Sequence, residues 1–310
     1  MKVFHSLSAA PELAGCALCL GNFDGVHLGH QALFETARSL ATPAVLSFHP
    51  HPGKVLQPSL APKLITTHER KLELLAEHGI AAAFILPFTL EFARTAPAAF
   101  ESSVLDALKA RHLVVGSDFT YGAARRGTVE SLAVAAQSRG AQVIVVPPFT
   151  ADGVVVHSSK IREYILEGRV DAARRLLGRH FDLDGVVVPG KGRGRGIGFA
   201  TANVDTQNEL RPAPGVYAVR AMTVGAHPGP WRAGAANIGV KPTFGGSEVT
   251  IEVHLLDFEG DLYGKRLRVR FLDWLRSEQR FGSVAELSAQ IARDVEGARN
   301  ASARAEPSLS

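Results

Sequence analysis

The ten residues Gly21 to His30, G-N-F-D-G-V-H-L-G-H, constrain this chain more than any other stretch. An apolar run, Ala17 to Leu20, leads into them and a helix-like segment, Gln31 to Leu40, follows, so they sit where a strand turns into a helix. In α/β folds that junction binds phosphates, because the first backbone N–H groups of a helix lack partners and its dipole is positive there. Gly21, Gly25 and Gly29 let the backbone approach a ligand closely. His27 and His30, three residues apart, share one face of the first helical turn. Two imidazoles beside a positive helix end suit a polyphosphate. The plain alternative is a tight turn with Asp24 as N-cap and two surface histidines; the flanking glycines and the leading strand weigh against it.

The alternation of strand and helix continues. Ala44 to Phe48 reads as a buried strand ending in His49-Pro50-His51-Pro52, whose prolines impose an extended turn and whose histidines face the same edge as His27. Thr66 with Glu69 makes a capping box for a helix to about His78, and Ala82 to Leu86 forms the next strand. A helix over Pro97 to Lys109, strands at Leu113 to Gly116 and Gln142 to Val146, and a helix over Val129 to Arg139 complete the pattern. It implies a parallel sheet covered on both faces, with right-handed crossovers. Two loops add to the site. Gly116 to Gly127 follows a strand and carries Asp118, two aromatics and two arginines between glycines, a composition that can hold a ring system and its phosphates or serve as a solvated tip. His157-Ser158-Ser159-Lys160-Ile161-Arg162 opens a helix, so its hydroxyls, N–H groups and Arg162 can bind phosphate oxygens, although serine capping alone would also explain it.

From about Phe181 the pattern changes. Asp171 to Leu177 reads as a last helix, after which short β-rich runs at Gly185 to Val188, Gly215 to Ala221, Ala233 to Ile238, Thr250 to Leu256 and Arg266 to Phe271 are separated by Gly and Pro clusters. They suggest a small antiparallel barrel. Ser283 with Glu286 caps a final helix with a stripe of Val284, Leu287, Ile291 and Val295, and a disordered tail is expected over 301–310. This division gives domains of 1–180 and 181–300, and 310 residues suffice for two cores. A net charge of +4 and a pI near 9.2 favour anionic partners without separating a nucleotide pocket from a nucleic-acid surface. No apolar run approaches the ~20 residues of a membrane span, and the N-terminus shows no signal-like stretch, so a cytoplasmic protein is expected. Cys16 and Cys19 form C-x-x-C, but in a strand they point to opposite faces, and no second pair completes a zinc site. They read as reduced core residues.

His27-Leu28-Gly29-His30 resembles the H-x-G-H signature of the nucleotidyltransferase superfamily, whose members transfer a nucleotidyl group and release pyrophosphate. With F-H-P-H-P at Phe48 to Pro52, L-I-T-T-H-E-R at Leu64 to Arg70, the Gly116 to Gly127 loop and S-S-K-I-R, nearly the whole chain resembles the prokaryotic bifunctional riboflavin kinase/FMN adenylyltransferases, or FAD synthetases. The resemblance implies a Rossmann-like nucleotidyltransferase domain with a parallel sheet, then a riboflavin kinase barrel with a terminal helix. In the first, Gly21, Asn22, Phe23, Asp24, Asp118, Ser158, Ser159 and Arg162 would bind ATP and its phosphates, with His27 and His30 catalytic. Where the family has S-S-T-x-x-R, this chain has His157, Ser158, Ser159 and Arg162.

Gly190 to Gly198, G-K-G-R-G-R-G-I-G, fits neither G-x-G-x-x-G nor a Walker A loop, and it lacks the aromatics of an RNA-binding segment. With the next five residues it resembles the riboflavin kinase pattern G-x-x-x-G-x-x-x-G-F-P-T-A-N, with Ala200 in place of Pro, and Pro189 stands where relatives often have His. This implies ATP binding by Gly190, Gly194, Gly198, Phe199, Thr201 and Asn203. If Thr201 and Asn203 lie on one side of a strand, their oxygens can share Mg2+ with the ATP phosphates. Alternation of apolar residues puts Glu252 on the polar face of its strand, which alone reads as a solvated glutamate; the resemblance implies the catalytic base. It also implies flavin binding by Asn237, Arg276, Glu278 and Phe281. Riboflavin, FMN, FAD and ATP are the implied partners, with no nucleic acid or membrane. The other readings are an enzyme with one activity, and a non-catalytic flavin- or RNA-binding regulator.

Overall fold

Each apolar run of the first half becomes a strand, and the strands enter one sheet in parallel. The computed structural model describes residues 1–7, 13–190, 199–243 and 246–305, with side chains for all of these except 241–243 and 246–248. The strands are β1 (Lys2–Phe4), β2 (Ala17–Leu20), β3 (Pro43–His49), β4 (Ala82–Pro87), β5 (His112–Gly116) and β6 (Gln142–Val146), in the sheet order β1-β4-β3-β2-β5-β6. Between them run α1 (Leu28–Leu40), α2 (Pro52–Leu56), α3 (His68–Glu77), α4 (Pro97–Leu108) and α5 (Val129–Gln137). Alternate strand residues feed two cores. Ala17, Cys19, Val45 and Ala83 pack with Leu33 and Phe34 of α1 and Leu74 and Leu75 of α3; Leu18, Leu46 and Phe84 pack with Phe100 and Val104 of α4 and Leu132 of α5. Cys16 and Cys19 lie in different cores, both buried, as strand alternation requires.

The sheet order fixes where a ligand can bind. The chain steps from β2 outward through β3 to β4, then returns to the other side of β2 as β5 and continues to β6. The reversal falls between β2 and β5, and in open α/β sheets ligands bind beyond the carboxyl ends of the strands at such a point. Gly21 to His30 leaves one of these strands and Gly116 to Gly127 the other. A short hairpin follows, β7 (Thr150–Ala151) and β8 (Val154–Val155), turning at Asp152 and Gly153, which both have positive φ.

The chain divides into two compact units, 1–158 and 159–310. The segment 159–180, grouped with the first domain by sequence, therefore belongs with the second. Its helices are α6 (Ser158–Leu166), which begins at the division, and α7 (Val170–Leu177), which packs on a barrel strand. Gly168 between them shows why: a Cβ there would lie 2.6 Å from the Trp274 ring, so the turn rests directly on that indole.

The barrel consists of β9 (Asp182–Val188), β10 (Ala202–Thr206), β11 (Gly215–Thr223), β12 (Arg232–Thr243), β13 (Gly246–Leu255) and β14 (Arg266–Arg276), closed in the order β10-β13-β12-β11-β14-β9 with antiparallel neighbours. Closure leaves no free strand edge. Leu183, Val219, Ile251, Val253, Leu267 and Phe271 are buried, and Tyr217 donates its hydroxyl hydrogen to Ala213 O at 2.6 Å. Helix α8 (Val284–Arg304) lies across β11, β12 and β14. Of the expected stripe, Leu287, Ile291 and Val295 are half-buried and Val284 is exposed. The helix also runs past Asn300, because Ala301 and Ser302 are buried and Ala298 and Ala301 pack on Ala218 and Leu272; only 306–310 of the expected disordered tail lie outside the described residues.

Candidate active sites

In the first unit, Gly21 to His30 forms a tight loop with positive φ at Phe23, Gly25 and Val26. The cap of α1 is His27, not Asp24: its Nδ1 accepts from His30 N at 3.4 Å. Nδ1 is therefore unprotonated in neutral His27, leaving Nε2–H as its donor. The His27 and His30 rings stack with centroids 3.6 Å apart, and Gly29 allows this, since a Cβ there would lie 3.3 Å from the His27 ring. Asp24 is buried, and its carboxylate accepts from Ile65 N at 3.0 Å and Thr66 N at 3.3 Å. Phe23 is also buried, meeting His30 edge-on at 5.3 Å. These two residues thus build the loop from below, while the Asn22 side chain is exposed. Ser158 joins the site through its hydroxyl, which donates to Asp24 O at 3.1 Å. Ser159 and Arg162 follow in α6, in the second unit.

Beyond β5, Asp118 is exposed, whereas Tyr121 is buried and ties its loop to α4 and α5: its hydroxyl donates to the buried Glu101 carboxylate and bonds Ser131 Oγ at 2.9 Å. Phe119 stacks on Tyr121 at 5.7 Å. Beyond β3, His51 caps α2 through Gly53 N, and His49 packs on His68 at 4.3 Å. Burial, and then neighbouring positive charge, lowers the pKa of both, that of His68 to about 4. Thr67, not Thr66, caps α3; Thr66 Oγ1 is instead 3.4 Å from Gly25 N, which donates to it.

Lys71 is the residue that sequence reasoning missed. Its Nζ donates to Asn22 O at 3.3 Å and Ser47 Oγ at 3.2 Å, and Ser47 donates to the same carbonyl at 3.0 Å. Burial pushes its pKa from 10.5 down to about 8, against the pull of Asp24. The signal was its spacing, since position 71 lies one helical turn before the buried Leu74 and Leu75 and so faces the core.

In the second unit, strand register assembles the other site. Asn203 pairs with Glu252 across β10 and β13, and Glu252 pairs with Asn237 across β13 and β12. Directly paired residues project to the same side, so the three side chains form a row. Ile251 and Val253 are buried in the barrel, which puts that row on its outer face. Asn237 Nδ2 reaches Glu278 Oε1 at 3.5 Å, and a Cβ on Gly239 would lie 2.9 Å from that oxygen. Gly190 lies against Asn203, where a Cβ would meet Nδ2 at 1.9 Å. Thr201 is half-buried and precedes β10, which starts at Ala202. Phe199 meets His254 edge-on at 5.5 Å, and His254 Nδ1 lies 2.8 Å from Ala200 O. The expected sites Gly194 and Gly198 lie outside the described residues. Arg276 is engaged by buried Asp294, its Nε and Nη2 donating at 2.9 and 2.8 Å, while Nη1 donates to Ser277 O and the guanidinium lies 5.7 Å from the Phe281 ring.

The parallel-sheet unit and the closed antiparallel barrel agree with what the chain resembles. A family model described as FAD synthetase matches residues 9–160, and one described as riboflavin kinase matches 177–302. The bifunctional riboflavin kinase/FMN adenylyltransferase of Escherichia coli K12 is 39% identical over 95% of this chain and 95% of its own. The chain belongs to the bifunctional riboflavin kinase/FMN adenylyltransferase family. The Bacillus subtilis member is 37% identical over 91% of each chain. A crystal structure described as a macrolide-efflux protein from Streptococcus pneumoniae matches with a TM-score of 0.87 and 31% identity, covering 96% of this chain and 98% of that one. Among the described residues of this family member, no helix is long and apolar enough to cross a membrane.

Proposed function

We infer that this chain makes FMN and FAD in two steps, phosphorylating riboflavin with ATP and then adenylylating FMN with a second ATP. The observation that carries the kinase half is the row Asn203, Glu252, Asn237, which puts one carboxylate between two carboxamides on the barrel's outer face. Glu252 accepts the proton of the ribityl hydroxyl as that oxygen attacks the γ-phosphorus of ATP, forming FMN and ADP. Asn237, Glu278, Phe281 and Arg276 hold the flavin, Arg276 in the orientation that Asp294 imposes. Gly190, Gly194, Gly198 and Phe199 receive ATP. The Thr201 hydroxyl and Asn203 carboxamide are hard oxygen donors that fit magnesium. Magnesium bound with a nucleotide usually takes few protein ligands and completes its shell with phosphate oxygens and water, which suits a pair of oxygen donors. Bound magnesium supplies charge neutralisation on the phosphates.

Adenylyl transfer takes place at the loops that follow β2 and β5. The FMN phosphate is already ionised, needs no base, and attacks the α-phosphorus of ATP, with pyrophosphate as the leaving group. His27, through Nε2–H, His30 and Arg162 stabilise its departing charge. Gly21, Asn22, Asp118, Ser158 and Ser159 bind the nucleotide and its phosphates, while Phe23 and Asp24 set the loop. We assign this step to residues 1–158 with the start of α6, and the kinase step to the barrel. We place the enzyme in the cytoplasm, with its ATP supply and with Cys16 and Cys19 as reduced thiols. The test is to incubate the purified chain with riboflavin, ATP and magnesium and separate the flavins by chromatography. FAD is expected. FMN alone would leave only the kinase, and unchanged riboflavin would overturn the reading.

A further inference from the structure

We propose that His254 is a positioning residue for the kinase reaction, fixing Phe199 to Thr201 so that the Thr201 hydroxyl is held ready for the metal and ATP phosphates. The inference rests on the kinase reading of the barrel. His254 lies two residues after Glu252 on β13 and so projects from the same face. Its Nδ1 is 2.8 Å from Ala200 O. A carbonyl oxygen can only accept, so Nδ1 carries the hydrogen and donates it. The ring also meets Phe199 edge-on, with centroids 5.5 Å apart and planes at 78°. One side chain thus grips two consecutive residues of a segment that lies outside any helix or strand, just before β10.

The segment needs such a grip. Ala200 is exposed and does not lock its own φ as a proline would, so its conformation must be imposed from outside. Thr201 is the next residue. His254 therefore acts on Thr201 through the backbone, by way of Ala200 O and the Phe199 ring.

Two substitutions in the full-length chain separate the hydrogen bond from the ring. His254→Phe keeps the ring and its contact with Phe199 but has no donor; His254→Asn keeps an N–H at the Nδ1 position but has no ring. For His254→Phe, the magnesium concentration that half-saturates riboflavin phosphorylation should rise by about 10-fold or more, as for other residues that orient metal ligands. The KM for riboflavin and the conversion of FMN to FAD should not change. In metal-free and nucleotide-free protein, amide hydrogen exchange over 199–203 should quicken in His254→Phe and stay near wild type in His254→Asn, and the magnesium requirement should follow the same order. Wild-type exchange and magnesium dependence in His254→Phe, or an Asn variant no better than Phe, would overturn the proposal. If the unmodified chain fails to phosphorylate riboflavin, the kinase reading falls, while the exchange data still decide whether His254 holds the segment.

Discussion

Replacing Lys71 with methionine should stabilise the protein near neutral pH and impair FAD formation. Lys71 is 8% exposed, and its pKa falls from 10.5 to about 8 in the fold. At 1.36 kcal/mol per pKa unit, keeping it charged below pH 8 costs folding about 3 kcal/mol relative to the neutral amine. Methionine removes that cost and loses the hydrogen bonds to Asn22 O and Ser47 Oγ, worth ~1 kcal/mol each. The net gain is ~1 kcal/mol at pH 7, or ~2 to 4 °C in Tm. The pH dependence is the sharper signature. Between the folded pKa and the unfolded value the unfolded chain binds the extra proton, so Lys71 makes stability rise with pH through that window, by about 3 kcal/mol in all. Cys16, its thiol raised by burial to about 11, acts oppositely above pH 9, but equally in both proteins. Urea unfolding of wild type and Lys71→Met at pH 7 to 10.5 should therefore show the variant ahead at pH 7 and losing that lead as pH rises. A pH-independent stability difference would refute the reasoning. FAD formation should fall because Asn22 O, in the Gly21 to His30 loop, loses the Lys71 ammonium and keeps the Ser47 hydroxyl.

His27→Ala or His30→Ala should lower FAD formation from FMN by roughly 10²-fold or more while riboflavin phosphorylation continues; equal loss of both activities in a folded variant would contradict the division of labour. A fragment beginning at Ser159 should fold and phosphorylate riboflavin. One beginning at Phe181 should be less stable by several kcal/mol, because Leu176 and Leu177 are buried and such side chains are each worth roughly 2 kcal/mol. Equal urea midpoints for the two fragments would show that α6 and α7 add nothing to the barrel.

What could be read in the sequence was local. The strand, tight glycine loop and helix start from Ala17 to His30 were legible because each part has its own backbone signature, and the placing of Cys16 and Cys19 in different cores followed from strand alternation. Adjacent threonines hid which one caps α3, since Thr66 and Thr67 offer the same hydroxyl and only the contact with Gly25 separates them. The Asp152-Gly153 turn was an available signal that went unused. What depends on distant pairing was not legible: the reversal of strand order at β2 and β5, the row of Asn203, Glu252 and Asn237, and the packing of 159–180 with the barrel join residues tens of positions apart. Alternation placed Glu252 on a polar face but could not tell that this face carries two carboxamides in register with it.

The most direct test is therefore Glu252→Gln, assayed separately with riboflavin and with FMN. The substitution preserves size and hydrogen bonding while removing the proton acceptor. Phosphorylation of riboflavin should fall by roughly 10²- to 10⁴-fold with little change in riboflavin binding. FMN supplied directly should become FAD at the wild-type rate, because its phosphate is already ionised and we assign the step to the other unit, which does not contain Glu252. Near-normal kinase turnover in Glu252→Gln would contradict the account and return Glu252 to a solvated strand position.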